Sequence, residues 1–227
     1  MVNQMKAIIL AGGRGTRLSP ITDYIPKSLI PIKNIPIIEW QIKYLKKFGV
    51  TEIIICAGYK SKILENFLTM KNDPKVKITF SVEKTPLGTG GAIKQTASLI
   101  KEKSFFVLNG DVITNIDLHK LAEKPNSIAS IELKTKFGVL YTKGDLVTAF
   151  KEKKQISDIW MNAGIYHLEK ETLKDLPKKG DLEKTVFSDY AKKGILHTVK
   201  FKHAIWHSID SFKDLDECSL EIDKIIK

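Results

Sequence analysis

Glycine and arginine dominate the segment that follows the first apolar run of the chain. The sequence LAGGRGTRL at 10–18 holds three glycines and two arginines in nine positions. Glycine lets the backbone approach a ligand closely and present its N–H groups in a concave nest. Arginines such as Arg14 and Arg17 can grip phosphate oxygens with paired donors. A tight turn alone would need no arginine, so this composition predicts a site for a polyphosphate.

Two better-known phosphate-binding loops do not fit this segment. A P-loop requires Gly-Lys-Ser/Thr after four intervening residues, and that triplet is not found here. The dinucleotide fingerprint G-x-G-x-x-G requires a third glycine, but Leu18 stands in its place after Gly13 and Gly15. The predicted phosphate loop is therefore of another type.

Two further segments carry residues suited to the same chemistry. The sequence EKTPLGTGGAI at 83–93 is a second glycine cluster, and it leads into a helical pattern. The sequence LNGDV at 108–112 places Asp111 at the end of a buried-strand pattern. A lone carboxylate at a strand end is often structural. One that faces two phosphate loops suits Mg²⁺, because this ion binds one or two carboxylates together with substrate phosphates.

Alternating strands and helices must position these loops. The first half of the chain has strand patterns at 5–13, 51–58, 75–83 and 104–112, and helical patterns at 36–49, 61–70 and 90–102. Short apolar runs that end at glycine are typical of buried parallel strands, and helical crossovers permit parallel pairing. The predicted fold class is α/β, with a doubly wound, mostly parallel sheet and helices on both faces. Ligands of such sheets bind beyond the carboxyl ends of the strands.

The second half of the chain is less regular. Strand patterns occur at 127–134, 137–142, 146–152, 160–168 and 195–201, and helical patterns at 182–193 and 211–226. No linker rich in Gly, Ser or Pro interrupts the sequence, so a single domain over residues 1–227 is expected.

The segment 10–32, LAGGRGTRLSPITDYIPKSLIPI, resembles the signature of the sugar-1-phosphate nucleotidyltransferases, or NDP-sugar pyrophosphorylases. These enzymes join a nucleoside triphosphate (NTP) to a sugar 1-phosphate and release pyrophosphate. The resemblance implies a Rossmann-like fold with a nucleotide-binding half at 1–112 and a sugar-phosphate-binding half at 113–227. It implies catalytic roles for Arg17, Lys27 and Asp111. It also implies nucleotide contacts for Leu10, Ala11, Gly12, Gly13, Gly15, Thr16, Glu83, Leu87, Gly88, Thr89 and Gly110.

Later motifs match the sugar-phosphate side of the same family. The sequences FGVL at 137–140, FKEK at 150–153, NAGIY at 162–166 and DLEK at 181–184 occur in the family's order. The resemblance assigns sugar-phosphate contacts to Gly138, Lys153, Asn162, Gly164, Glu183 and Lys184. Taken alone, Lys153 within KEKK would be a surface charge, but NAGIY follows at the family's spacing and favours a binding role.

The last motif departs from the family's common pattern. Many members carry W-x-D-x-G-T, whose aspartate is a metal ligand, whereas this chain has WHSIDSFKD at 206–214. Ser208 holds the place of that aspartate, and Asp210 stands two residues later, a form that some branches of the family carry. The resemblance thus implies Mg²⁺ bound by Asp111 with Asp210, and the shift leaves the identity of the second ligand open.

The reaction implied is in-line attack by a sugar-1-phosphate oxygen on the α-phosphorus of an NTP. The short chain and the segment PLGTGGA resemble mannose-1-phosphate guanylyltransferases that lack the C-terminal β-helix of other members. Glucose-1-phosphate thymidylyl-, uridylyl- and cytidylyltransferases are alternatives that the residues do not exclude. A non-catalytic nucleotide- or sugar-sensing subunit is another, although such subunits tend to lose the arginine or aspartate present here as Arg17 and Asp111.

Composition restricts the remaining classes of function. The net charge is +11, but the lysines are spread along the chain rather than grouped beside exposed aromatics, which disfavours nucleic-acid binding. No apolar run reaches the ~18 residues that span a bilayer, and the first residues do not show a signal-peptide pattern. Cys56 and Cys218 indicate neither a disulfide framework nor a metal cluster, so a cytoplasmic enzyme is expected. A homo-oligomer stays open, because the helix at 211–226 can cover its own core or pair with a neighbouring copy.

Overall fold

A seven-stranded sheet forms the centre of the computed structural model, which describes residues 5–71, 73–135, 137–152 and 155–225. The strands of this sheet are β1 (Met5–Ala11), β4 (Val50–Ala57), β5 (Lys77–Val82), β6 (Ser104–Asn109), β8 (Ser127–Lys134), β11 (Gln155–Glu169) and β12 (His197–Lys200). Smaller pairs are β2 (Pro31–Ile32) with β3 (Ile35–Pro36), β7 (Val112–Thr114) with β13 (Trp206–Ser208), and β9 (Val139–Lys143) with β10 (Leu146–Lys151).

The strand order is β12-β8-β11-β6-β1-β4-β5. The pairs β1–β4, β1–β6, β4–β5 and β8–β12 are parallel, which confirms the predicted mostly parallel α/β sheet. Strand β11 differs, because it runs antiparallel to both β6 and β8. The chain passes from β8 to β11 through the β9–β10 hairpin rather than through a crossover helix, so β11 returns in the opposite direction.

Helices cover both faces of the sheet. They are α1 (Ile37–Lys47), α2 (Ser61–Lys71), α3 (Gly88–Gln95), α4 (Leu118–Leu121), α5 (Thr172–Asp175), α6 (Ser188–Lys192) and α7 (Phe212–Ile225). Within the described residues, every helix is too short or too polar to span a bilayer.

Two predicted helices are shorter in the structure. The helix predicted at 90–102 ends at Gln95, and a 3₁₀ turn at Ala97–Leu99 follows. The buried Thr96 hydroxyl donates to the carbonyl of Ile93, so its side chain bonds back to the helix where the helix ends. The helix predicted at 182–193 divides into a π-helical turn at Glu183–Phe187 and α6. The four-residue helices α4 and α5 were not predicted, because one turn carries no measurable periodicity.

The alternation of side chains along β1 builds two apolar layers. Ile8 packs with residues of α3, α5 and α6, whereas Ala7 and Ile9 pack with residues of α1, α2 and α4. A third cluster lies outside α1, where Cys218 and Ile222 of α7 pack with other buried apolar residues. Helix α7 therefore covers apolar surface of its own chain.

The topology also determines where a ligand can bind. Strands β1 and β6 are neighbours in the sheet, but the chain leaves β1 toward β4 and leaves β6 toward the opposite side. Such a reversal opens a crevice beyond the carboxyl ends of the two strands. The glycine loop at 12–17 and Asp111 both begin at this crevice.

Candidate active site

A cleft of about 740 Å³ opens at this edge of the sheet. The loops after β1, β4, β5 and β6 form most of its walls. Fourteen residues predicted from the sequence line it, namely Leu10, Ala11, Gly12, Gly13, Gly15, Thr16, Arg17, Lys27, Glu83, Gly88, Thr89, Gly110, Asp111 and Asp210. The structure thus brings the predicted nucleotide residues other than Leu87, and both predicted metal ligands, into one cavity.

The first glycine loop turns sharply at Gly15. This residue has φ +64°, and a Cβ there would lie 3.0 Å from the Cβ of Lys27. The carbonyl of Gly15 accepts hydrogen bonds from the Leu18 amide at 2.9 Å and from the Thr22 hydroxyl at 3.2 Å. Gly13 differs, because a Cβ there would meet no atom within 4 Å. The loop is therefore held on its inner side and open at Gly13.

Close backbone approach joins the strand ends beneath the loop. The amide of Gly110 donates to the carbonyl of Leu10 at 3.0 Å, and a Cβ on Gly110 would lie 2.4 Å from that oxygen. The carbonyl of Gly12 accepts from the amide of Tyr59 at 3.1 Å. Glycine at these positions lets the loops after β1, β4 and β6 meet at main-chain distance.

Four charged side chains form a network across the cleft. The ammonium Nζ of Lys27 lies 2.6 Å from Oδ2 of Asp111 and 2.9 Å from Oδ1 of Asp210. The same Oδ1 of Asp210 accepts from Nη2 of Arg17 at 2.8 Å. Because both carboxylates contact one Nζ, they are close enough to share a single cation.

The donor set of this network fits a hard divalent cation. It offers two carboxylates, and no cluster of three or more His, Cys, Asp or Glu suited to a metal occurs among the described residues. Mg²⁺ commonly binds through one or two carboxylates and completes its shell with water and substrate phosphate oxygens. Asp111 and Asp210 therefore fit a metal that binds together with a phosphate substrate.

Asp210 is held by its neighbours in the shifted motif. Ser208 donates to its Oδ2 at 3.2 Å, and its amide donates to Asp214 Oδ2 at 3.1 Å. Burial opposes ionisation of Asp210, but the hydrogen bond from Lys27, the charges of Lys27 and Arg17, and the Ser208 hydroxyl outweigh it and lower its pKa. The aspartate in the shifted position is thus an ionised, oriented carboxylate.

A buried glutamine holds the loop that carries Asp111. Nε2 of Gln41, on α1, donates to the carbonyls of Asn109 at 2.8 Å and Val112 at 3.0 Å. These carbonyls flank the break between β6 and β7 at Gly110 and Asp111. The Gln41 side chain is 1% exposed, so it is a positioning residue that acts through the main chain.

Glu83 joins the two glycine clusters. Its Oε2 accepts from the amide of Leu87 at 2.8 Å. Its Oε1 lies on the side of Gly12, where an added Cβ would approach it to 2.8 Å. Leu87 itself does not line the cleft, although its amide orients a carboxylate that does. The Leu87 amide thus fixes one carboxylate oxygen of Glu83 against the segment that is predicted to recognise the base.

The predicted sugar-side residues form a hydrogen-bond chain. Asn162 Nδ2 donates to the Tyr166 hydroxyl at 2.9 Å, which donates to Glu183 Oε1 at 3.1 Å. Glu183 Oε2 accepts from the hydroxyl of Thr89 at 2.8 Å, which links the chain to the cleft. The amide of Gly164, a residue at φ +71°, donates to Asn162 Oδ1 at 2.8 Å. Asn162, Gly164 and Glu183 are not among the residues that line the cleft, and Thr89 connects them to it.

Among the described residues, the other sugar-side predictions are not part of this hydrogen-bond chain. Gly138 precedes β9, and a Cβ there would lie 2.4 Å from the ring of Phe150, outside the cleft lining. The exposed Lys184 pairs with Asp181 at 2.8 Å, and of these two only Asp181 lines the cleft. Lys153 falls outside the described residues.

Several residues of the site were not predicted as site residues. Gln41 is the polar member of an otherwise apolar helical stripe. A polar residue at such a position indicates a buried hydrogen bond, so the sequence could have pointed to it. Asp214 completes the pattern Ser211-x-x-Asp, in which the Asp214 amide donates to Ser211 Oγ at 3.3 Å, as in a capping box. Tyr59, which lines the cleft under the guanidinium of Arg14 at 5.1 Å, follows a strand end in the same way as the predicted loops.

The sequence matches the nucleotidyl transferase family over residues 6–224. The chain therefore belongs to the nucleotidyl transferase family, and this confirms the resemblance carried by the glycine loop.

Within the family, the chain is similar to proteins named as sugar-1-phosphate guanylyltransferases. The chain is 39% identical over 197 residues to D-glycero-alpha-D-manno-heptose 1-phosphate guanylyltransferase of Campylobacter jejuni, with 83% of this chain and 87% of the relative covered. It is 35% identical over 227 residues to mannose-1-phosphate guanyltransferase beta-A of Xenopus laevis, covering 92% of this chain and 62% of that protein. Among solved structures, HddC from Yersinia pseudotuberculosis complexed with GMP-PN superposes with a TM-score of 0.77 at 29% identity, covering 96% of this chain and 100% of that one.

Proposed function

We propose that this protein transfers a guanylyl group from GTP to the 1-phosphate of a manno-configured sugar and releases pyrophosphate. Relatives named for mannose 1-phosphate and for a manno-heptose 1-phosphate support this substrate class. The observation that carries the proposal is the network of Arg17, Lys27, Asp111 and Asp210 beside the open glycine loop. It places cationic and carboxylate groups in one cleft, as two phosphate substrates and a divalent cation require.

The chemistry needs positioning and charge neutralisation more than a base. A sugar 1-phosphate is already an anion and can attack the α-phosphorus without losing a proton. Arg17 and Lys27 would neutralise the charge that grows on the departing pyrophosphate, and the amides of the loop at 12–16 would hold its oxygens. Asp111 and Asp210 would hold Mg²⁺, which when bound would supply positive charge to offset the charge of the phosphates.

The chemistry of Glu83 favours guanine. The Watson–Crick edge of guanine presents two donors side by side, N1–H and N2–H, and an ionised carboxylate only accepts. Uracil and thymine present a carbonyl beside N3–H, and this carbonyl would face an acceptor without a proton. Cytosine and adenine likewise place a ring-nitrogen acceptor beside their amino group. An unpaired polar atom in a closed site is costly, so a base-facing Glu83 would select guanine.

The sugar would lie against the chain of Asn162, Tyr166 and Glu183, which reaches the cleft through Thr89. We propose Lys153 as the cation that receives the sugar phosphate, on the basis of the FKEK motif. Gly138 and Lys184 stay predictions from the family's motifs, since Gly138 lies against the Phe150 ring and Lys184 forms an exposed pair with Asp181. We also propose a cytoplasmic enzyme. Both cysteines are free, and burial raises the pKa of each thiol to about 12, as suits unreactive structural thiols.

A pyrophosphate-release assay tests the proposal. The full chain is incubated with Mg²⁺, each of GTP, ATP, UTP, CTP and dTTP, and the 1-phosphates of mannose, manno-heptose and glucose. Turnover is expected with GTP and a manno-configured sugar. Turnover with glucose 1-phosphate and a pyrimidine nucleotide instead would contradict the proposal and favour a glucose-1-phosphate thymidylyl-, uridylyl- or cytidylyltransferase. The absence of turnover in every combination would favour a sensing subunit.

The base assignment has its own variant. Glu83→Gln should reduce the preference for GTP over UTP by about tenfold to a hundredfold, because one charged hydrogen bond to the guanine edge is lost. Relative kcat/KM for the two nucleotides is the measurement. Glu217→Gln on α7, whose side chain pairs with the exposed Lys213 at 3.9 Å, is the matched control. An unchanged preference in Glu83→Gln would remove Glu83 from base recognition.

A further inference from the structure

The lysine between the two carboxylates has a second role open to it. Nζ of Lys27 contacts Asp111 and Asp210 at once, and its side chain is only 15% exposed. Of the two carboxylates, Arg17 pairs with Asp210, and its side chain is 73% exposed. We propose that Lys27 couples the binding of the divalent cation to the binding of the nucleotide. This inference rests on the proposed metal site at Asp111 and Asp210.

The charges of the network explain why coupling should arise. Two cationic and two anionic side chains sum to zero. A divalent cation that enters alone must compete with the Lys27 ammonium for the carboxylate oxygens. The network and the cation together then carry a net charge of about +2. A triphosphate that enters alone meets two carboxylates. Each ligand should therefore bind weakly without the other.

The joint complex removes both conflicts. The carboxylates of Asp111 and Asp210 take the cation, and the ammonium of Lys27 moves to the phosphate oxygens. Each ligand then raises the affinity for the other by the same factor, because linkage between binding sites is reciprocal. The enzyme would take up the nucleotide and its metal as a unit.

The local structure allows this movement without a change of backbone. Pro26 and the turn Lys27–Leu29 hold the main chain, with Leu29 N donating to the Pro26 carbonyl at 2.9 Å. The lysine stem lies against Gly15, since a Cβ there would meet Cβ of Lys27 at 3.0 Å and Cδ at 3.3 Å. Nζ can therefore reach phosphates seated on the loop by rotation of its flexible four-carbon stem.

Binding of Mn²⁺ alone tests the proposal without catalysis. The full chain is titrated with Mn²⁺ in the absence of nucleotide, and free Mn²⁺ is followed by electron paramagnetic resonance. Lys27→Met should bind Mn²⁺ roughly tenfold tighter than the unmodified protein, because the competing cation is gone. Lys33→Met, which removes the pair of Lys33 with Asp223 outside the cleft, should leave the affinity unchanged.

The outcomes separate this inference from the metal assignment. Equal or weaker Mn²⁺ binding in Lys27→Met, with a normal melting temperature, would overturn the coupling. Lys27→Gln serves the same comparison if the methionine variant does not fold. Asp111→Asn is the reference for the metal site. If it leaves Mn²⁺ binding unchanged, the proposed site itself fails. If it weakens binding and Lys27→Met does not strengthen it, only the coupling fails.

Discussion

The two halves of the chain that meet at the cleft differ in how much main-chain contacts position their groups. In the half before residue 113, main-chain groups approach one another directly, as where Gly110 N donates to the Leu10 carbonyl at 3.0 Å. In the half after it, side chains do this work, as in the chain from Asn162 through Tyr166 to Glu183. The first half has all four of its central strands parallel, whereas the second contains the reversed strand β11 and the exposed β9–β10 hairpin.

This difference predicts different tolerance to mutation. A main-chain contact does not depend on side-chain identity, but it fails when a methyl group is added where two backbones meet. A side-chain network behaves in the opposite way, because conservative replacements keep the space and change only the hydrogen bonds.

Asp111→Ala should have the largest effect, because Asp111 connects the halves. Its carboxylate accepts a hydrogen bond from the Lys27 ammonium, and its main-chain carbonyl accepts one from the amide of Ile209 at 3.0 Å. Loss of one charged group at the reacting phosphates lowers the rate by ~10²–10³, and loss of the proposed metal ligand should abolish turnover. Asp223→Ala, outside the cleft, is the control in the pyrophosphate assay. Near-normal turnover in Asp111→Ala would contradict the proposed metal role.

Gly110→Ala against Gly13→Ala tests the main-chain half. A methyl at Gly110 would lie 2.4 Å from the Leu10 carbonyl oxygen, so it should lower the free energy of unfolding by about 1–3 kcal/mol. A methyl at Gly13 meets nothing within 4 Å and should leave stability within about 0.5 kcal/mol while raising KM for GTP. Thermal melting and steady-state kinetics measure the two effects. Equal destabilisation by both changes would mean that the loop is packed throughout.

Glu183→Gln against Lys184→Ala should give the smallest effects and tests the side-chain half. Glu183 accepts hydrogen bonds from both Thr89 and Tyr166, one on each carboxylate oxygen. The glutamine side chain has only one such oxygen, so Glu183→Gln loses one of these bonds and should raise KM for the sugar 1-phosphate about tenfold. Lys184 makes an exposed pair with Asp181, so its loss should change KM less than about twofold. KM for GTP is the internal reference. A larger rise in KM from Lys184→Ala than from Glu183→Gln would indicate that Lys184 binds the sugar phosphate.

The sequence alone determined much of this protein. The order of strands and crossover helices in the first half, the α/β class and the family follow from local patterns, and the structure and the family match confirm them. The exact ends of several elements differ, as where the strand predicted at 104–112 divides into β6 and β7. Glycine clusters at 12–15 and at 88–91 indicated close backbone approach, because such approach requires the absence of a side chain. The structure has it at Gly12 and Gly15 and at the glycines of 88–91, but not at Gly13.

Tertiary structure decided which of these groups meet. The reversal of β11 follows from a hairpin in place of a crossover, and no single segment encodes it. Lys27 contacts partners 84 and 183 residues away, and Gln41 reaches the strand break at Asp111 from a helix in another layer. Hydrogen bonds and ion pairs depend on distances of about 3 Å. Such distances between remote segments exist only after the sheet has assembled.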